Sequence, residues 1–551
     1  MKFGNEKRFV YEALSRHNYF PNQKANIGEI PPIFSSRRFT PEIIEKIIAE
    51  GDIPDERGRM GYDLVEYSST RYNNVPRTLG IPHPMAHSKL TKGIVDKWPE
   101  ISRSTSNPRS KIKPDYHEDG RLMIMNYEGF REKVIEKCDM AFGKRFLVST
   151  DISGCFNTVY THAIEWAVLG FAESKERLKL GNKAPKVWPA DLDTKQRQTR
   201  RGETQGITIG PATSNVILEL ILTKVDAQLS GFEFSRYIDD YICYCSSSDE
   251  ADDFLQKLSI ELRKYKLHLN LSKTQVQPLP AAIQSDWVSK LHAALPQPDA
   301  EEARYSADTA IHFIEYAINL NHQTPDGSVL KYAIQQIIYR IESSSVDIIT
   351  DYLINLSWHY PSLLPFLDVA FPLYSGSIEI FQVRLNKIIE ENARCGRSDG
   401  MCWPLYYIDK FKLSVDPETS QAVIKTVDCL SLCLLFKVTG WNESFDRLAN
   451  EISQGTLYEK DQMWLFMYQA FINGHIENPY MSNTFHIMRA EDVDFMIVGE
   501  ATSQAEQYSS YLLGNEIFDP EKIPMTYTEF TKEAHLNTLA VGSSNNGSED
   551  K

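Results

Sequence analysis

Three aspartates in this chain of 551 residues stand where a phosphoryl-transfer centre would want them. Asp151 closes the apolar run FLVSTD and enters the turn DISG, so its carboxylate faces a ligand. Asp239 and Asp240 sit in RYIDDYI, which reads as the tip of a hairpin. Two strands side by side would bring the three together. Carboxylates that close repel one another, and their charged forms require a cation. Two Mg²⁺ ions about 3.5–4 Å apart, bridged by such aspartates, stabilise the attacking and leaving oxygens of an in-line displacement. Mg²⁺ takes few protein oxygens and completes its shell with substrate phosphates, which suits a sparse set, with Mn²⁺ as an alternative. The candidate metal set is Asp151, Ile152, Asp239 and Asp240. Taken singly, each aspartate would read as a turn residue or a cap.

A third element changes that balance. RRGETQGITIGPATSN (200–215) lies between the other two, and Gly202, Gly206 and Gly210 let backbone approach a ligand before a helix begins. Gln205 adds an amide able to touch a base or sugar edge, and Gly206 and Tyr237 join it as candidate nucleotide contacts. As a lone feature this stretch is equally a glycine-rich connection. In order, strand, loop-helix and hairpin support one another.

The elements that must position these residues are legible. Residues 145–151 read as a buried strand, and a helical pattern runs from Thr161 to about Lys175. Residues 232–246 read as two strands around a tight turn at Ile238-Asp239. A helix is expected over 211–229, opened by Pro211 in its first turn. Pro278, Pro280, Pro296 and Pro298 then mark a change to helical periodicity. Leu330, Ile334, Ile337, Ile338 and Ile341 keep one face of a helix after the cap signal Asp326-Gly327-Ser328. Further helices are expected near 345–357, 376–391, 418–437 and 458–472, with no fixed repeat period, so an α-solenoid stays an open reading. The expected division is 1–280, 281–540 as an α-helical second domain, and a disordered tail 541–551.

Composition bounds the rest. No apolar run of membrane-spanning length is present and the start lacks a secretory h-region, which predicts a cytoplasmic protein with no membrane partner. The eight cysteines are scattered, which predicts buried free thiols. His83 and His87 invite a zinc site, but Pro84 between them argues against one helix presenting both. The net charge of −15 is unfavourable for nucleic acid until the chain is divided. Residues 1–300 hold 42 Lys+Arg against 39 Asp+Glu, and the remainder holds 17 against 35. Residues 101–150 carry ten cations, including Arg103, and Arg109, Lys111, Lys113 and Arg121 are the candidate phosphate contacts.

DISGCF, QGITIGPATSN and YIDDY resemble motifs A, B and C of reverse transcriptases. LHLNLSKTQV resembles the following block, which would place Lys273 where a basic residue protonates pyrophosphate. RTLGIPHPMAHSKLTKGIVDKW resembles the block that opens the family's fingers, so the likeness spans roughly residues 60–280. It implies an α+β fold: right-hand polymerase fingers and palm followed by an all-α C-terminal domain. It implies Asp151, Asp239, Asp240 and Lys273 as catalytic residues. Phe156 would be the steric gate that excludes a ribose hydroxyl, so deoxynucleotides are the expected substrate. Thr208 stands where many relatives have proline, which loosens the loop's φ restriction.

DISGCFNTVYTHAIEWAVLG and PDGSVLKYAIQQI resemble the abortive-infection and related "unknown group" bacterial reverse transcriptases. Val438-Thr439-Gly440, a tripeptide typical of retron enzymes, lies too far downstream to be read that way. The resemblance implies an antiviral role, with dNTPs and DNA product as partners, synthesis that is protein-primed and untemplated or copies a non-coding RNA, and a homo-oligomer. A templated enzyme of a mobile element and a catalytically silent nucleic-acid-binding scaffold are the competing expectations.

Overall fold

The segments rich in aromatic and β-branched residues around both acidic motifs build one sheet, as such side chains do on a half-buried pleat. The computed structural model describes residues 3–21, 28–50, 57, 60–71, 74–112, 114, 120–123, 130–282, 284–297, 304–324, 328–370 and 374–497. Strands β1 (Leu64–Thr70) and β2 (Pro76–Pro82) form an antiparallel hairpin, in register from Leu64↔Pro82 to Thr70↔Pro76. Strands β3 (Phe146–Asp151), β4 (Glu233–Tyr237), β5 (Asp240–Cys245) and β6 (Gln275–Pro278) form a four-stranded antiparallel sheet in the order β4-β5-β3-β6.

The helix Ser248–Lys264 packs on β5 and β3 because Ala251, Phe254, Leu258 and Leu262 recur at helical spacing and are all buried. Each large apolar side chain so buried contributes about 1.5–3 kcal/mol. Ser247 starts this helix by accepting a hydrogen bond from the Glu250 amide. The two sheet edges differ: one is paired and the other is short and exposed. The segment Arg109–Lys111 pairs with β4, where the Lys111 amide donates to the Arg236 carbonyl at 2.8 Å. At the other edge β6 is four residues long and stops at Pro278.

Beyond β6 every regular element among the described residues is helical. This half is packed tightly against the first. The outer edge of β1 is capped by side chains: the Ser68 amide donates to Ser398 Oγ at 2.8 Å, and the Thr70 amide and hydroxyl donate to the Asp399 carboxylate at 2.7 and 2.8 Å. Arg57 pairs with Asp461 at 2.5 and 2.9 Å, and Asp461 also accepts the Asp63 amide. Trp464 donates to the Ile81 carbonyl at 3.1 Å, and the rings of Tyr19, Phe20, Phe39, Trp464 and Phe495 interlock. No helix among the described residues is long and apolar enough to cross a membrane.

Burial raises Asp399 to about 6 although Thr70 and Gly400 donate to it. Its folded pKa therefore lies above the unfolded one. The cost of holding it ionised is absent at low pH, grows as pH rises through about 6, and is full above that. Asp399→Asn should remove this dependence. Unfolding measured between about pH 4.5 and 7 should show wild type losing about 2 kcal/mol more than the variant. Parallel pH profiles would return Asp399 to an ordinary carboxylate.

Several expectations need correction. The pattern from Thr161 to Lys175 is two helices, Ala163–Leu169 and Phe171–Leu180, because Gly170 at φ +90° breaks it. The stretch 418–437 is likewise Pro417–Thr426 and Cys429–Thr439, separated by Val427 at φ +53° with Asp428 capping the second helix. The stretch 458–472 divides at Met463. Ile338 and Ile341 are buried but lie past the end of the helix Val329–Ile337. Its cap signal falls partly outside the described residues, as do Lys113 and the tail 541–551. Pro211 is the N-cap of the helix Ala212–Ala227, not a residue of its first turn. Pro84 does not prevent a helix: it opens Pro84–Asp96, with His83 as N-cap accepting from the Met85 amide. His87 stacks on Tyr19 at 3.8 Å, and His83 on Tyr62 at 4.5 Å, so aromatic packing accounts for both. All eight cysteines are free, but Cys138 and Cys395 are exposed.

Candidate active site

Antiparallel pairing of β3 with β5 sets Asp151 directly opposite Asp240. The Ile152 amide donates to the Asp239 carbonyl at 3.2 Å, which ties the turn after β3 to the hairpin tip. Asp151 is buried, while Asp240 reaches solvent. Burial first, then the charges of Asp239 and Asp151, push Asp240 up to about 6. Burial likewise raises Asp239, with Asp151 adding to it. Lys273 Nζ donates to Asp151 Oδ2 at 2.6 Å. The loop carrying Lys273 is fixed by the Asn270 amide, which donates to the Asp151 carbonyl at 2.9 Å, and by Thr150–Thr274 hydroxyl contact at 2.7 Å.

The other oxygen, Asp151 Oδ1, is buried and has no hydrogen-bond partner among the described residues. An orphaned carboxylate oxygen beside two raised carboxyls is a donor set whose negative charge Lys273 offsets only in part. Among the described residues no three His, Cys, Asp or Glu side chains, the three aspartates included, are grouped so as to hold a metal ion by themselves. A partial shelf of this kind fits Mg²⁺, which keeps water and substrate phosphates in its shell, better than it fits a closed structural site.

The glycine loop lies alongside. The Gly206 amide donates to the Val159 carbonyl at 2.7 Å, and the Ile207 amide to the Phe156 carbonyl at 2.8 Å. Gly206 has φ +85°, and a Cβ there would lie 2.5 Å from an Arg200 guanidinium nitrogen and 3.2 Å from the Asn157 carbonyl. Only glycine fits this approach. Gln205 is exposed and bridges Tyr160 through the backbone. Phe156 is half-buried against the core, and Tyr237 pairs with Asp240 across the hairpin. Thr208 is buried, and the loop is held at its far side by the Gly80 amide donating to the Ile209 carbonyl at 2.9 Å. The loop is thus fixed by hydrogen bonds where proline is missing.

The basic segment 101–150 is used differently from the expectation. Arg109 donates to the carbonyls of Leu229, Phe232 and Ser230 and lies over the Phe234 ring, so its guanidinium is spent on the segment leading into β4. Lys111 pairs with Glu136, and Arg121 is buried. The cations that do face the centre come from elsewhere. A cavity of about 550 Å³ opens at Asp240 and is lined by Arg71 and Arg77 of the hairpin, Lys331, Tyr360 and Ser362. Arg71 and Lys331 make no ion pair among the described residues, and Arg77 has only a 4.0 Å contact with Glu29. Burial, with the neighbouring Arg71, lowers Arg77 from its ordinary value. The paired Asn residues of STRYNNVPRT signalled a hairpin turn flanked by arginines, but nothing in the sequence pointed to Lys331.

Residues 98–301 match the family model described as reverse transcriptase (RNA-dependent DNA polymerase). The match over that stretch supports an RNA-directed DNA polymerase. Comparison with curated proteins gives no match. Among solved structures, telomerase from Candida albicans with a TWJ fragment of telomeric RNA is 10% identical, covering 75% of this chain and 68% of its own, with a TM-score of 0.29. Apo telomerase from Candida tropicalis is 12% identical, covering 74% and 70%, with a TM-score of 0.28. Overlaps of that size leave the assignment resting on the family match.

Proposed function

We propose that the chain adds deoxynucleotides at Asp151, Asp239 and Asp240 and serves in bacterial defence against phage. The observation that carries the chemical part is the placement of Asp239 and Asp240 beside an orphaned Asp151 oxygen, next to a cavity lined by Asp240, Arg71, Arg77 and Lys331. Asp151, Asp239, Asp240 and the backbone at Ile152 would hold divalent cations. When bound, such ions supply the charge that steadies a phosphoryl transfer and make a hydroxyl easier to deprotonate. Arg71 and Arg77 offer charged donors to a triphosphate. Gly206 and Gln205 would contact the nucleotide, and Phe156 would bound its sugar side. Lys273, already on Asp151, is placed to give a proton to leaving pyrophosphate. The defence assignment is supported by the motif A resemblance and by the long helical half joined to the palm.

The test incubates purified protein with Mg²⁺ and each labelled dNTP, without template or primer, and resolves products before and after protease. Labelled DNA that stays with protein until digestion supports self-primed synthesis and the defence role. Activity confined to an added primer and RNA template, with no effect of expression on phage plating, would move the protein to a mobile-element enzyme. No incorporation under either condition would overturn the reading.

A further inference from the structure

The catalytic hairpin turns on a residue that does not favour the turn. Ile238 has φ +57°, and β-branched side chains rarely adopt that region. A non-glycine residue held there is strained and persists only where its surroundings enforce it. Asp239 follows directly, so the conformation of Ile238 sets where that carboxylate lies.

Besides the β4–β5 pairing and core packing, one buried side chain holds this turn directly. Arg236, on β4, has no solvent exposure. Its Nη1 donates to the Ile238 carbonyl at 2.8 Å and to Glu219 Oε2 at 3.0 Å. Nη2 donates to Glu219 Oε1 at 2.9 Å, and Nε to Asp226 Oδ2 at 2.8 Å. Asp226 is fixed in turn by Tyr241 Oη at 2.8 Å and Asn107 Nδ2 at 2.6 Å. Glu219 and Asp226 are seven residues apart on the helix Ala212–Ala227 and so share one face. That helix begins at the end of the glycine loop. A buried ion pair is poor evidence for stability, since removing two charges from water offsets most of their attraction. This one spends a donor on the carbonyl of the strained residue, which packing alone would not require.

We propose that Arg236, held by Glu219 and Asp226, is a positioning residue that fixes the Ile238 turn and thereby the Asp239 carboxylate, coupling the glycine-loop helix to the metal shelf. The inference rests on the reading that Asp239 binds a divalent cation. Arginine is required because its planar fork serves two carboxylates and a carbonyl at once, whereas lysine has one nitrogen to share.

The test compares wild type, Arg236→Lys, Glu219→Gln and Arg236→Lys/Ile238→Gly, with Asp239→Ala as control. Mn²⁺ binding is measured by electron paramagnetic resonance without nucleotide, and kcat and KM are measured separately. Arg236→Lys should weaken Mn²⁺ binding about 10-fold and lower kcat about 10–100-fold with dNTP KM within about 3-fold, since a charge-assisted bond of ~1.5–3 kcal/mol is lost. Adding Ile238→Gly removes the strain and should restore much of both. Glu219→Gln should act in the same direction, about 3–10-fold, and decides the matter if the lysine variant does not fold. A lowered melting temperature with unchanged Mn²⁺ binding and kcat would make Arg236 a core ion pair and overturn the proposal. Retained Mn²⁺ binding in Asp239→Ala would instead sink the metal reading itself.

Discussion

Asp151→Ala or Asp239→Ala abolishes nucleotide incorporation, by at least about 10³-fold, in a protein that still folds. The magnitude follows from the several kcal/mol that a positioned dication contributes to a phosphoryl transfer, each 1.36 kcal/mol being tenfold. Asp151 carries three separate loads: opposition to Asp240, the contact with Lys273, and the orphaned Oδ1. Alanine removes all three while leaving the β3 ladder intact. Asp239 is half-buried at a turn, and losing its charge relieves repulsion in the metal-free protein. The metal-free variants should therefore melt no lower than wild type, which separates lost chemistry from lost fold. Primer extension alongside thermal unfolding checks this. Normal incorporation in both variants would remove these aspartates from the centre.

Phe156→Ala should admit ribonucleotides. The ring stands after the turn at Gly154, half-buried against the core, and its carbonyl receives the Ile207 amide of the glycine loop. It is therefore held by the same loop that would cradle the nucleotide. A clash of about 1–3 kcal/mol between a ring and a 2′-hydroxyl corresponds to roughly 10–100-fold discrimination, which alanine would erase. The measurement is the ratio of kcat/KM for dNTP and rNTP of the same base. An unchanged ratio would leave Phe156 as core packing.

The palm was legible in the sequence because its determinants are local. A strand ending in Asp151, a two-residue turn at Ile238-Asp239 and a loop needing glycine at 206 each declare themselves within ten residues. Helix breaks were not legible where they depend on a single backbone angle, as at Val427, which no β-branched residue would lead one to expect at φ +53°. The basic segment misled for a related reason. Charge is visible in sequence, but its destination is not: Arg109 turns inward to three carbonyls, whereas Arg71, Arg77 and Lys331 meet at Asp240 from separate parts of the chain.

The hydrogen bonds from Ser68 and Thr70 to Ser398 and Asp399 have a bearing on how this polymerase can be inherited or dissected. A strand edge satisfied by another strand can be cut away with its partner. Here the satisfying groups lie on a helix about 330 residues downstream in sequence, well past residue 301 where the family match ends. A catalytic fragment trimmed to that boundary would expose the β1 edge to other chains, a known route to aggregation. The helical half thus keeps that edge covered, and insertions or exchanges between the two halves are constrained to those that leave the seam intact.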